Sequence, residues 1–239
     1  MAQPRAQSKQ SSSANPRVTN TLPATRDRRG SLVPKELRSW AASPFSMLPR
    51  LSDDMDQLKA ARWSAKLVMP VMPGRDHMRG LPSAAVTLLE YGDYECPRCR
   101  AAHGIVTTIR AQLRNRLCHV YRHFPLATAH PHAQEAAEAA EAAASQNKFW
   151  EMHDALFSVA APLSSNLLRG AAVSLGLNIP LFHYELSQHA HLPRIREDFI
   201  CGARSGVSGT PTIYINEVRY DGEWNLTSVA NAVNSAIGA

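Results

Sequence analysis

Nowhere in the 239 residues is there a run of about 18 consecutive apolar side chains, so no segment is suited to crossing a bilayer as a helix. Cysteine is scarce as well. Cys96, Cys99, Cys118 and Cys201 are too few and too irregularly spaced for the disulfide framework of a small secreted protein, and only the first two form a recognisable pair. The start of the chain has the positive charges of an export signal but lacks its apolar middle, because residues 10–20 are mostly Ser, Asn, Pro and Arg. Sec-type export is therefore not expected, and a cytoplasmic location is. The same Arg- and Ser-rich, acid-poor stretch also fits the composition of an organelle transit peptide. Aromatic residues are missing around the basic cluster Arg26, Arg28 and Arg29, which leaves it no rings to stack on bases, and neither a nucleic-acid partner nor a membrane span is expected.

Charge is unevenly distributed. Residues 1–80 hold 14 Lys and Arg against 6 Asp and Glu, whereas residues 81–239 hold 12 against 14, so the net charge of +6 belongs to the N-terminal part. There, over residues 1–49, Ser, Pro, Gln and Arg recur without a sustained helical or strand period, and no core can be gathered. Residues 52–66 open with Ser52 as a cap and acids in the first turn, predicting a short helix. Residues 1–71 are thus expected to be a basic, largely disordered extension. The 44% hydrophobic content suffices for one sizeable core, expected within residues 72–239.

Within that part, residues 86–91 (Val-Thr-Leu-Leu-Glu-Tyr) predict a strand covered on both faces. A helix follows the Cys96-Pro97-Arg98-Cys99 motif, with Ile105, Ile109 and Leu113 expected on its buried face, and residues 117–124 predict a second strand that closes a βαβ unit. Residues 132–205 predict four or five helices, with turn signals at Pro162, Gly176 and Pro180. In the first of these, Glu135, Glu138 and Glu141 are expected to line one solvated edge rather than a metal site. Two short strands over 212–216 and 218–220 and a final helix over 226–237, capped by Asn225, complete an order of βαβ, helical insert, ββα.

Two cysteines three apart where a strand turns into a helix carry distinct chemistry. The first sulfur lies at the helix N-terminus, where free N–H groups and the dipole favour a thiolate, so Cys96 is the expected nucleophile. Cys99, one turn on and more buried, can attack a mixed disulfide on Cys96 or close an internal disulfide. Pro97 fits the first helical position, which needs no N–H. Arg98 either lowers the Cys96 pKa by its charge or points to water, with Asp93 and Glu95 opposing the first effect.

The rival for such a pair is half a zinc site. Cys118 and Cys201 form no second CxxC, which leaves His119, His123, His130 and His132 as the remaining candidate ligands, and no metal is the expectation. Cys118 and Cys201 are expected to pack in the core, as are Phe149 and Trp150. His130, His132 and His153 are expected to bond helices to the core.

A second constellation is Ser208-Gly209-Thr210-Pro211-Thr212. Proline at the entry to a strand suits an edge or turn, and a cis Thr210–Pro211 bond would turn the backbone near Thr210 toward the cysteines, where it could pair with an extended substrate segment.

From about residue 76 to 237 the chain resembles the DsbA-like branch of the thioredoxin superfamily, a thioredoxin core with a helical insert. The resemblance is carried by the segment from Glu90 through Tyr91-Gly92-Asp93-Tyr94-Glu95 to the CPRC motif, by Arg122-His123-Phe124-Pro125-Leu126, by Phe149-Trp150-Glu151-Met152-His153, and by Gly206-Val207 with the Gly209-Thr210-Pro211 turn. It implies an α/β thioredoxin fold with the insert at about 130–206, Cys96 as attacking thiol, Cys99 as resolving thiol, Pro211 as cis-proline and Thr210 beside it in substrate binding. Glu90 falls where the family often keeps a buried carboxylate near the resolving cysteine, and its alternative is a strand-end side chain reaching solvent. The implied activity is thiol–disulfide exchange with protein substrates, with no cofactor beyond the dithiol and an unidentified redox partner to recycle it. The Pro-Arg pair between the cysteines departs from the Pro-His of the well-known periplasmic oxidants, so their redox potential does not transfer. A non-catalytic redox sensor or partner-binding module is the alternative. The glutathione-handling relatives usually carry serine in place of the first cysteine, which counts against them.

Overall fold

The computed structural model describes residues 66–159 and 162–237. Residues 1–65 of the N-terminal extension, and with them nearly all of the helix expected over 52–66, lie outside the described residues.

Five strands form one sheet: β1 (His77–Arg79), β2 (Val86–Gly92), β3 (Leu117–His123), β4 (Thr212–Ile215) and β5 (Val218–Arg219), in the order β1-β3-β2-β4-β5. β2 and β3 run parallel, joined by helix α1 (Pro97–Leu113), while β1, β4 and β5 pair antiparallel. The central strand β2 is buried almost throughout, as a strand with helices on both faces must be.

Side-chain alternation along the central strands sorts the residues between layers. Val86 and Leu88 face one side and meet Val106 and Ile109 of α1 and Val229 and Val233 of the C-terminal helix α7 (Leu226–Ile237). Leu89 and Tyr91 face the other, against Phe199 of α6 (Leu192–Arg204). Glu90 falls on the Leu88 side, under α1. The same alternation along β3 sends His119 and Tyr121 to the side of Leu117, which shares the Leu88 cluster, so Glu90, His119 and Tyr121 share one interior.

Between β3 and β4, α2 (Ala133–Ala144), α3 (Phe149–Ser158), α4 (Ser165–Ser174) and α5 (Ile179–Ser187) form with α6 the helical insert. Their cluster includes Met152, Leu156 and Phe182, and it reaches Cys96, Cys99 and Tyr121. Asn178 caps α5 by accepting the Leu181 N–H at 3.1 Å, and Asn225 accepts the Ser228 N–H at 2.8 Å at the start of α7.

Two expectations are corrected. The buried stripe of α1 is Cys99, Ala102, Val106 and Ile109, whereas Ile105 and Leu113 are only partly buried, because the helix rolls its cysteine toward the insert. Glu138 and Glu141 do not lie on a solvated edge: they are 2% and 6% exposed. α2 is the middle of the insert, touching α3, α4, α5 and α6, so no long edge is left to water. Glu138 accepts from Gln134 and His189, and Glu141 from His77 and His123.

Candidate active site

The β2 register sets the site. Tyr91 pairs with Thr212, so the C-terminal end of β2, which leads into the cysteine motif, lies beside the start of β4, which follows Pro211. The Thr210–Pro211 bond is cis, and the Cys96 Sγ donates to the Thr210 carbonyl at 3.4 Å. Cys96 is the N-cap of α1 with extended backbone, and Pro97 opens the helix.

The two thiols are split in acidity. Cys96 is lowered to about 5, first by a hydrogen bond from the Cys99 thiol, against its own burial, and then by the Thr210 side chain and the N–H groups of Cys99 and Arg98 in the first turn. Those N–H groups act at longer range than a capping bond. Cys99 is pushed well above the ordinary thiol range by burial, by its donation to Cys96 and by the nearby Glu90 carboxylate. The two sulfurs are thus unlike in acidity, Cys96 favouring the thiolate and Cys99 the thiol. All four cysteines are free thiols in this structure.

Glu90 is buried beneath this pair at 1% exposure. Burial and the charge of Cys96 raise it to about 8. Its Oε2 lies 3.6 Å from His119 Nε2, too far for a hydrogen bond, and its Oε1 has no partner. Burial drives His119 well below its ordinary pKa, so the ring is neutral and leaves the carboxyl uncompensated. The solvent-reaching alternative for Glu90 is excluded. A carboxyl poised near neutrality can take up or release a proton beside Cys99.

The loop before Cys96 is clamped by residues that sequence reasoning treated only as opposing charges. Asp93 accepts the Glu95 N–H at 2.8 Å, the Leu126 N–H at 2.9 Å and His130 Nδ1 at 2.7 Å. Although burial works against its charge, His130 is held above its ordinary pKa by Asp93. Glu95 accepts the His132 N–H at 2.7 Å. The loop after β3 is thereby tied to the cysteine motif. The Arg98 side chain is exposed, and it is its backbone N–H that bears on Cys96.

Among the described residues, the groups of three or more metal-ligating side chains are His77–His123–Glu141 and His103–His153–Asp154, and neither contains a cysteine. His153 receives or donates a hydrogen bond with the Tyr94 hydroxyl at 3.2 Å. Cys118 packs in the core against Leu89 and Val120. Cys201 departs from simple packing, since Tyr91 donates its hydroxyl to the sulfur at 3.3 Å within the network around Arg122. Beside the cis-proline, a cleft of about 270 Å³ is lined by Ser208, Pro211, Arg219, Tyr220 and Trp224.

A thioredoxin-type sheet, a helix-capping CxxC facing a cis-proline and an inserted helical layer define the class of protein. A thioredoxin family model matches residues 73–235, about two thirds of the chain, and the chain belongs to that family. Among solved structures it resembles a thioredoxin-like oxidoreductase from Silicibacter pomeroyi DSS-3, at 25% identity and a TM-score of 0.62 over 70% of this chain and 94% of that one. It also resembles oxidised BdbD from Bacillus subtilis, at 19% identity and a TM-score of 0.64 over 73% and 99%. Among curated proteins, Na(+)/H(+) antiporter NhaA 1 of Salinispora arenicola (strain CNS-205) is 44% identical over 170 residues, which is 71% of this chain and 26% of that protein. The chain thus spans about a quarter of the length of that curated relative. No described helix is long and apolar enough to cross a membrane.

Proposed function

We propose that the protein is a thiol–disulfide oxidoreductase that exchanges disulfides with protein substrates through Cys96. The observation that carries this reading is the split pair: the Cys96 sulfur, at a helix N-terminus and 3.4 Å from the Thr210 carbonyl before the cis-proline, is lowered to about 5, while Cys99 is raised. In the oxidising direction, a substrate thiolate attacks the Cys96 sulfur of a Cys96–Cys99 disulfide. Cys99 leaves and takes a proton, for which Glu90 is the nearby buried acid. A second substrate thiolate then attacks the mixed disulfide, releasing Cys96 as thiolate and the substrate as disulfide. Reversal of these steps reduces a substrate. An extended substrate segment pairs with the Thr210 backbone and lays a side chain in the Tyr220–Trp224 cleft. No cofactor beyond the dithiol takes part, and a separate redox partner recycles it.

Because the Cys96 thiolate stabilises the reduced form, the disulfide is expected to oxidise more strongly than that of thioredoxin, with a potential between about −270 and −120 mV. Insulin-reduction and dithiol-oxidation assays test the reading: Cys96→Ser abolishes turnover, and Cys99→Ser accumulates mixed disulfides. Full activity of the Cys96→Ser protein sinks it.

A second reading is favoured by one observation, the 170-residue match inside a Na(+)/H(+) antiporter roughly four times as long as the matched segment. On it, the chain acts on thiols of an antiporter of that kind. Trapping with Cys99→Ser in the native host, followed by mass spectrometry, would recover antiporter peptides in disulfide linkage. Recovery of unrelated proteins alone removes this reading and leaves the first intact.

A further inference from the structure

We propose that His77, His123 and Glu141 form a binding site for one divalent transition-metal ion of the zinc class, separate from the cysteine pair and independent of its redox role. The three side chains come from β1, the end of β3 and α2, and meet where the insert joins the sheet edge. His77 Nε2 and His123 Nε2 each lie 2.8 Å from Glu141 Oε1. Ligand atoms that share a tetrahedral zinc at about 2.0–2.1 Å must lie roughly 3.3 Å apart. All three ligand atoms lie within 4.8 Å of one another, and the two contacts to Glu141 need lengthen by only about 0.5 Å to suit a two-imidazole, one-carboxylate shell.

The rings are already aimed. His77 stacks on Phe149, with centroids 3.5 Å apart and planes 8° from parallel, and His123 meets Tyr121 and Phe149 edge-on. Packing of this kind fixes a ligand's orientation before the ion arrives. Glu141 is buried, and its Oε1 is the atom that both rings meet. The His77 side chain is 19% exposed, which gives an ion an entry path and a water molecule the fourth position.

One group opposes the ion. Arg194 Nε stands 3.9 Å from Glu141 Oε1, although Asp76, Glu197 and Asp198 lie equally close to its guanidinium and can hold it. Binding requires each ring to offer the Nε2 lone pair, so its ring proton moves to Nδ1 or to water, and affinity falls as pH falls.

The test uses the full chain carrying Cys96→Ser and Cys99→Ser, which removes the competing dithiol. Calorimetric titration with zinc chloride is expected to find one equivalent at micromolar affinity or tighter, with a higher Tm in the presence of zinc. Adding His77→Ala is expected to weaken binding at least tenfold and to cancel the Tm rise, and Glu141→Gln to do the same. X-ray absorption of the zinc-loaded protein is expected to give a shell of nitrogen and oxygen, and this readout needs no third substitution to fold. Absence of binding, binding indifferent to His77→Ala, or sulfur in the shell overturns the proposal.

Discussion

Cys96 and Cys99 are the same chemical group one helical turn apart, and their surroundings drive them in opposite directions. Cys96 has an ordinary value of 9.0 and a folded value of about 5, so its contribution to the stability of the reduced protein is fully present above about pH 9 and is lost as pH falls through 5. Two outcomes follow. The rate of Cys96 alkylation by iodoacetamide should fall with a midpoint near pH 5, and the Tm of the reduced form relative to the disulfide form should drop between pH 8 and pH 4.5. Glu90 behaves in the opposite sense, since its value rises from 4.5 to about 8 and its contribution is lost as pH rises through 8. Glu90→Gln should therefore raise Tm at pH 9 and not at pH 4. In the reducing direction, where Cys99 must lose its proton to attack the mixed disulfide, stopped-flow measurement should show that release slowed on the order of 10²-fold, as expected for loss of a general acid–base group. The CxxC could be found in the sequence as two spaced cysteines, and the buried glutamate through the family resemblance. His119 beside Glu90 could not, because its partner lies on another strand and only the β2–β3 register brings the two to one interior.

At the scale of elements, helix α6 lies hard against the sheet. A Cβ at Gly202 would sit 2.9 Å from both the Phe124 and Tyr91 rings, and both rings are buried. An alanine in a helix gains about 1 kcal/mol over glycine, but overpacking between two fixed rings typically costs about 1–3 kcal/mol. Gly202→Ala should therefore lower the urea midpoint, against its helix propensity. Strand β2 was legible as an apolar run of β-formers, β3 as the run that closes the βαβ unit, and helix α7 by its amphipathic pattern. β1 was not, since three residues carry no period and His77–Arg79 becomes a strand only by pairing with β3. The burial of Glu138 and Glu141 was hidden for a related reason: a glutamate every third residue has the same pattern whether water or other helices surround it.

Across the whole molecule, Arg122 ties the segment before β1 to the sheet and to α6. Its side chain is fully buried, bonds both Asp76 oxygens at 2.9 Å, and donates to the Met69 and Pro70 carbonyls and the Tyr91 hydroxyl. Arg75 extends the network from Asp76 to Asp198. Removing one member of a buried ion pair leaves an uncompensated charge, at about 3–5 kcal/mol. Arg122→Met should lose about that much in equilibrium unfolding. Leu67 is buried in the same cluster as Tyr91 and Phe199, and Lys66 bridges to Val218, so the packed chain includes residues ahead of Met72.

By itself the sequence determined the order of the main elements and placed the Cys96–Cys99 pair at a strand–helix junction, because strand and helix patterns and a CxxC between them are local signals. It also pointed to Thr210 and Pro211 through the turn that precedes a β-run. Only the tertiary structure decided which charges are buried and what they meet. Glu90 with His119, Asp93 with His130, Asp76 with Arg122, and Glu141 with His77 and His123 each join residues far apart in the chain. The acidity of a buried group depends on distances to such partners and on exclusion of water, which no local pattern encodes.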